Sequence, residues 1–210
     1  MTGEKTVRVI VVDDHDMILE SFTRAFSEAE GFKLVRTLTS AAQARGACLE
    51  LRPGLLIMDV CTEGGASGLD ALTSLRAEFP EMKIIIMSGF DEISYAPRAK
   101  ELGAHAFVSK TNGFGFFVDI ARRVMDGEKV YPQPKKIPMP NGEAPFTQRE
   151  LEILRLLCMS KSRPEIAESL LISEKTVKRH IENMREKTGY SSVMELVIYV
   201  LSNGWINPIY

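Results

Sequence analysis

No apolar run in this 210-residue chain approaches the ~18–20 residues needed to span a bilayer, so a membrane-spanning class is not expected. The N-terminus, MTGEKTVRVIVVDD, carries an apolar stretch too short for a signal peptide, and two aspartates follow it directly. Cysteine is scarce. Cys48, Cys61 and Cys158 are odd in number and widely spaced, which suggests neither a metal knuckle nor a disulfide framework. A reducing cytoplasmic setting is therefore expected. There is no internal repeat and no low-complexity tract. Charge of one sign is also lacking: 26 Lys and Arg stand against 28 Asp and Glu, a formal net of -2. That average gives no hint of a nucleic-acid partner, but it hides an asymmetry. Residues 1–132 carry 15 basic and 19 acidic side chains, a net of -4, and residues 133–210 carry 11 and 9, a net of +2.

Proline is concentrated in one place. Five of the chain's ten fall in YPQPKKIPMPNGEAP, residues 131–145. Proline fixes φ and removes a donor, so this stretch reads as a semi-rigid linker. It divides the chain into 1–130, 131–145 and 146–210.

The first part alternates two periods. Val7–Val12, Leu55–Val60, Lys83–Met87 and Ala106–Val108 read as buried strands, with Phe32–Leu38 a weaker one. Between them Ile18, Phe22, Ala25, Phe26 and Ala29 recur at helical spacing, as do Phe116, Phe117, Ile120 and Val124. Strands apolar throughout, alternating with helices, predict a doubly wound α/β domain with a five-stranded parallel sheet. The second part is all helix. Thr147–Glu150, Ser162–Glu165 and Ser192–Glu195 are capping boxes, and Ser173 caps a further helix to about Lys187. Four short helices form a small all-α bundle.

Ligands of open α/β sheets sit at the carboxyl ends of the strands. Polar residues follow the apolar runs at those ends: Asp13 and Asp14, Asp59, Ser88 and Lys110. Three converging carboxylates repel one another unless a hard cation binds, and oxygen ligands suit Mg²⁺. A lysine and a hydroxyl nearby would hold an anionic oxygen added to a carboxylate. The set fits phosphoryl transfer onto an aspartate. A lone Asp ending a strand is more often a helix cap; the five positions in this order argue against coincidence.

This constellation strongly resembles the receiver domain of two-component response regulators, across about residues 6–128. The resemblance implies Asp59 as phosphoacceptor, Asp13 and Asp14 as the acidic Mg²⁺ pair, and Asp59 itself and the backbone carbonyl of Cys61 as further metal ligands. It implies Ser88 as the switch hydroxyl, Lys110 as the phosphate-contacting lysine and Phe107 as the switch aromatic. Phe107 alone fits a simple core position equally. His15 reads as a solvated helix-start residue and not a ligand, and His105 as structural or surface. The family's proline four residues after the acceptor and glycine eight after it are Glu63 and Ser67 here, with Gly68 one place late. Thr111 replaces the proline common after the lysine, so no cis peptide is expected there.

In the second part, Pro164–Leu170, a turn at Leu171–Ser173 and Glu174–Lys187 make a helix-turn-helix layout, whose second helix lies in the major groove. EKTVKRHIENMREK puts Val177, Ile181 and Met184 on a core stripe and leaves Lys175, Lys178, Arg179, Glu182 and Arg185 outside. A solvated charged face shows the same pattern. The wider run, FTQRELEILRLLCMSKSRPEIAESLLISEKTVKRHIENMREKTGYSS, closely resembles the LuxR-type helix-turn-helix. That resemblance implies Lys178, Arg179 and Glu182 as base-groove residues and Thr176 and Lys187 as phosphate contacts, with His180 a packing and capping residue near the turn. Glu195–Leu201 matches the helix often used for dimerisation, and an ordinary core helix fits as well. The family's glycine at the end of the first helix is Ser160 here.

Together the halves resemble the NarL/FixJ class: a cytoplasmic transcription regulator, not an enzyme, switched by a sensor histidine kinase at Asp59. Its expected partners are DNA and a second copy in the active form. One alternative is a regulator of the same fold acting without phosphorylation. Another is an aspartate-nucleophile phosphatase using Asp13–Asp14–His15–Asp16, which would need a substrate cap where the linker instead leads to a helix-turn-helix.

Overall fold

The computed structural model describes residues 6–89, 95–133, 146–203 and 205–206. They divide into two compact units, 6–89 with 95–133, and 146–206. Of the stretch expected as linker, residues 134–145 lie outside the described residues. Tyr131–Gln133 belong to the first unit. Tyr131 packs on its core, and its hydroxyl donates to the Ala104 carbonyl.

Strands β1 (Val7–Val12), β2 (Phe32–Leu38), β3 (Leu55–Asp59), β4 (Lys83–Ser88) and β5 (Ala106–Ser109) form a parallel sheet in the order β2-β1-β3-β4-β5. Helices α1 (Asp16–Ser27), α2 (Ala44–Leu51), α3 (Gly68–Glu78), α4 (Tyr95–Glu101) and α5 (Phe114–Met125) connect or follow them. Successive side chains of a strand point to opposite faces, so each strand feeds two cores. Ile10, Val12, Leu56, Met58, Ile84 and Ile86 pack under α2, α3 and α4, whereas Val9, Val11, Leu55, Ile57, Ile85 and Met87 pack with α1 and α5. Burial on both faces is why these strands are apolar without alternation.

One helical face needs correcting. Phe116 shares the apolar spacing of α5, yet it is 44% exposed while Phe117, Ile120 and Val124 are buried. The adjacent Phe117 takes the inward position, stacked edge-on against Phe22 of α1 at a centroid distance of 5.0 Å. His105 is buried. Its Nδ1 accepts the Ile84 amide at 3.1 Å, and burial first, then Lys83 and Arg76, pulls its pKa down to about 4. No cis peptide occurs among the described residues, Thr111 included.

The second unit holds α6 (Gln148–Cys158), α7 (Arg163–Ser169), α8 (Glu174–Thr188) and α9 (Val193–Ser202) around Ile153, Leu154, Ile166, Val177, Met184, Leu196 and Val200. Helix α7 starts one residue earlier than the spacing suggests. The capping boxes at Thr147–Glu150 and Ser192–Glu195 form as expected. At Ser162 the Glu165 carboxylate accepts from both the amide, at 2.8 Å, and the hydroxyl, at 2.6 Å.

Two helices of the second unit end in left-handed residues that are not glycine. After α6 the Lys161 amide bonds the Leu156 carbonyl and the Ser160 amide that of Leu157, with Ser160 at φ 59°. After α7 the Ile172 amide bonds Ala167 and the Leu171 amide bonds Glu168, with Leu171 at φ 53°. Both are Schellman closures, whose left-handed position favours glycine. Replacing Ser160, the position where relatives carry glycine, by Gly should raise the stability of the second unit by about 0.5–1 kcal/mol in urea unfolding. A stability loss in that variant would show that the Ser160 side chain holds the turn.

Candidate functional site

The parallel register brings the carboxyl ends of β1, β3, β4 and β5 to one edge. Asp59 stands opposite Met87 and Ser88 opposite Ser109 in that register. The Lys110 amide donates to the Ser88 carbonyl at 2.8 Å, and the Val60 amide to Met87 at 2.9 Å. The turn after each strand is thus set by its neighbour. It places Asp13, Asp59 and Ser88 at that edge of the sheet, all buried.

The ammonium of Lys110 sits between two carboxylates, 2.7 Å from Asp13 Oδ2 and 2.7 Å from Asp59 Oδ2. Burial drives the Asp59 carboxyl up to about 6, opposed by Lys110 and by a hydrogen bond from the Cys61 amide and reinforced by Asp13. Burial also pulls Lys110 down, but Asp59 and Asp13 outweigh it and hold its pKa above the ordinary value. The lysine therefore stays charged.

Asp14 is partly exposed. His15, expected as a solvated residue, is 67% exposed at its side chain but not isolated: its Nδ1 lies 3.0 Å from Asp13 Oδ1 and 2.7 Å from Asp14 Oδ1. The sequence signal was its adjacency to the acidic pair. Asp13 Oδ2 and Asp14 Oδ1 are enclosed and meet Lys110 and His15 as ion-pair neighbours without a well-directed hydrogen bond. Hard oxygens of this kind, in excess over one lysine, fit a divalent cation such as Mg²⁺. Among the described residues, Asp13, Asp14 and His15 form one group able to hold an ion.

Phe107 is buried and belongs to the core under α2, α3 and α4, and its amide donates to the Val130 carbonyl at 2.9 Å. In the loop after Asp59, Cys61 and Ser67 pair as an antiparallel bridge around Gly64 and Gly65. A Cβ on Gly68 would lie 2.0 Å from the Asp59 carbonyl oxygen, so no other residue fits there. Gly68 is therefore the glycine that lies against the acceptor strand.

In the second unit Lys175, Lys178, Arg179, Glu182 and Arg185 are exposed on α8, opposite buried Val177, Ile181 and Met184. Lys178 Nζ lies 3.7 Å from Glu182 Oε1, which offsets the acidic side chain on this exposed face. Arg185 donates to the Ser191 carbonyl. The Thr176 hydroxyl lies 2.8 Å from that of Ser173, the N-cap of α8. His180 is half-buried in mid-helix, away from the turn.

Lys187, expected as a phosphate contact, forms an ion pair within the second unit. Its Nζ lies 2.7 Å from Oε2 of buried Glu150, the same carboxylate that accepts the Thr147 amide at 2.7 Å. Burial raises the Glu150 carboxyl, but Lys187 and Thr147 outweigh it and hold its pKa below the ordinary value. One ion pair thereby fastens the end of α8 to the start of α6.

Residues 9–121 match the response regulator receiver domain, and residues 144–200 match the bacterial regulatory proteins of the LuxR family. The chain belongs to the response regulators that carry a receiver followed by a LuxR-type DNA-binding domain, the NarL/FixJ class. It is 29% identical over 208 residues to the response regulator protein VraR of Staphylococcus aureus, covering 96% of this chain and 99% of VraR. To VraR of Staphylococcus epidermidis it is 28% identical over 207 residues, covering 95% and 99%. Its fold is similar to that of RcsB from Salmonella enterica serovar Typhimurium, solved bound to a promoter with phosphomimetic BeF3⁻. There the TM-score is 0.64 at 21% identity, covering 94% of this chain and 99% of that one.

Replacing Lys187 by Met, which keeps the stem and removes the charge, should destabilise the second unit by about 2–4 kcal/mol. That is somewhat less than for a fully enclosed pair, because Lys187 is partly exposed. Chemical unfolding followed by circular dichroism measures it. A loss below about 0.5 kcal/mol, the size of a surface pair, would return Lys187 to the phosphate contacts.

Proposed function

We propose that this response regulator is switched by phosphorylation of Asp59, with a sensor histidine kinase as donor. The observation that supports this most is the Lys110 ammonium held at 2.7 Å from the Asp59 carboxylate in a buried, carboxylate-rich pocket. Attack by an Asp59 oxygen on the donor's phosphorus would form the acyl phosphate as the bond to the donor imidazole breaks. Asp13 and Asp14, with the carbonyl of Cys61, would hold Mg²⁺, which offsets the charge on the transferred group. Lys110 is placed to clamp a phosphoryl oxygen, and Ser88, buried at the end of β4, to offer its hydroxyl to another. A phosphoryl group adds about -1.5 to -2 of charge, by analogy with other phosphorylated side chains. Phe107, two residues inward from β5's end, is the proposed switch aromatic.

The output is DNA binding by α8, with Lys178, Arg179 and Glu182 toward the bases and Lys175 and Thr176 toward phosphates. An acidic side chain can accept from cytosine N4. The net charge of +2 over residues 133–210 supports few phosphate contacts per monomer, so useful affinity calls for a dimer on two half-sites about one helical turn apart. No helix among the described residues is long and apolar enough to cross a membrane, and we place the protein in the cytoplasm. We take 1–130 as the receiver, 131–145 as the linker with Tyr131 anchored to the receiver, and 146–210 as the DNA-binding domain. The chain acts as a regulator and not as an enzyme on an outside substrate.

With acetyl phosphate and Mg²⁺, the protein should gain one phosphoryl group by intact mass, and Asp59→Asn should gain none. The phosphorylated protein should retain particular fragments of genomic DNA, and Lys178→Ala should lose them while being phosphorylated equally. An unmodified wild type would favour a regulator that works without phosphorylation. A modified Asp59→Asn would overturn the acceptor, and an unchanged fragment set in Lys178→Ala would overturn the groove assignment.

A further inference from the structure

The segment after Asp59 lacks the proline that would preset its backbone, yet it is not loose. Cys61 and Ser67 pair as an antiparallel bridge, and Gly64 and Gly65, at φ 73° and 72°, turn the chain between them. The Thr62 amide donates to the Ala66 carbonyl at 3.2 Å, and the Gly68 amide to the Val60 carbonyl at 2.8 Å. This small hairpin is tied sideways to the segment after β2. Thr62 is buried, and its hydroxyl accepts the Ala41 amide at 2.8 Å while donating to the Ala66 carbonyl at 2.6 Å. Glu63 stands where relatives carry proline. Its amide donates to the Thr39 carbonyl at 3.0 Å, its carbonyl accepts the Ser40 hydroxyl at 3.0 Å, and its carboxylate accepts the Thr39 hydroxyl.

The residue just before this pair is Cys61, whose amide donates to the Asp59 carboxylate. The Cys61–Thr62 peptide is therefore fixed at one end by the acceptor and at the other by Thr62. We propose that Thr62 and Glu63 are positioning residues for the phosphorylation of Asp59, holding the Cys61 peptide against the acceptor carboxylate in place of the missing proline. The inference rests on the reading of Asp59 as acceptor and of the Cys61 carbonyl as a metal ligand. Neither residue touches the transferred group; each acts through Cys61. Buried polar groups of this kind restrict a loop because any other arrangement leaves the Thr62 hydroxyl or the Ala41 amide without a partner.

The test compares Thr62→Val, which keeps the shape and removes the hydroxyl, with Thr62→Ser, which keeps the hydroxyl, and with Glu63→Ala at an exposed position. On the full chain, at a temperature where circular dichroism shows each variant folded, two quantities are read. These are the Mg²⁺ dissociation constant by calorimetry and the phosphorylation rate with acetyl phosphate at saturating Mg²⁺. Misplaced groups cost large factors in rate, so Thr62→Val should lose about tenfold in rate and bind Mg²⁺ more weakly. Thr62→Ser should return both to within about twofold of wild type, and Glu63→Ala should fall between. If Thr62→Val does not fold, Glu63→Ala alone decides. Wild-type rate and Mg²⁺ affinity in the folded variants, with only a lowered melting temperature, would overturn the proposal and leave the ties as a loop staple. A wild type that binds Mg²⁺ but accepts no phosphoryl group, or binds no Mg²⁺, would contradict the underlying acceptor reading instead.

Discussion

The lysine ammonium shared between Asp13 and Asp59 is the contact on which the receiver's chemistry depends. Buried Asp13 and Asp59 each lie 2.7 Å from the one lysine, Lys110, and Asp14 lies beside Asp13 against His15. Burying charges costs free energy that only close opposite charge offsets, and one lysine cannot offset three carboxylates. Burial, reinforced by Asp13, raises the Asp59 carboxyl, and the enclosed Asp13 and Asp14 oxygens lack well-directed hydrogen bonds. A site left over-negative by construction is suited to gain a cation and to change when a phosphoryl group arrives. The sheet makes this possible: strands apolar on both faces fix the register, and the register sets the spacing of the charges at its edge.

The second unit solves a different problem with the same kind of contact. A bundle of four short described helices has little core, so its helix ends matter. Glu150 serves two roles with one carboxylate: it accepts the Thr147 amide, which completes the capping box, and it pairs with Lys187 from the far end of α8. Arg149 donates to the Leu170 carbonyl at 2.8 Å and thereby ties the start of α6 to the end of α7. The exposed charged side chains of α8 are left outside this scaffold, with Glu182 balanced by Lys178 along the helix.

Much of this was legible in the sequence, because its signals are local. Largely apolar runs marked four strands and a weaker pattern marked β2. Charged or hydroxyl residues at the ends of β1, β3, β4 and β5 marked the candidate site, and Thr-x-x-Glu or Ser-x-x-Glu boxes marked helix starts. What escaped depends on distance or on one-residue phase. Phe116 and Phe117 are adjacent aromatics, and a helical period does not separate neighbours so close in phase; packing against Phe22 chose Phe117. Lys187 pairs with a residue 37 positions away, a contact that no local pattern contains. Tyr131 sits in a proline-rich stretch, but a hydroxyl bond to Ala104 keeps it on the receiver. Gly68 looked merely displaced, and only its approach to the Asp59 carbonyl shows why a glycine is required. The ties of Thr62 and Glu63 to Thr39, Ser40 and Ala41 likewise join loops that are remote in sequence.

The central claim is that the carboxylate excess around Lys110 is held for a divalent cation. Thermal unfolding of the receiver transition, with and without Mg²⁺, in the wild type and in Asp13→Asn tests it most directly. Mg²⁺ at ten times its dissociation constant should stabilise the wild type by about 1.4 kcal/mol. Asp13→Asn, relieved of one carboxylate, should melt higher than the metal-free wild type and show no response to Mg²⁺. A wild type indifferent to Mg²⁺, or a variant that melts lower and still responds fully, would contradict the account.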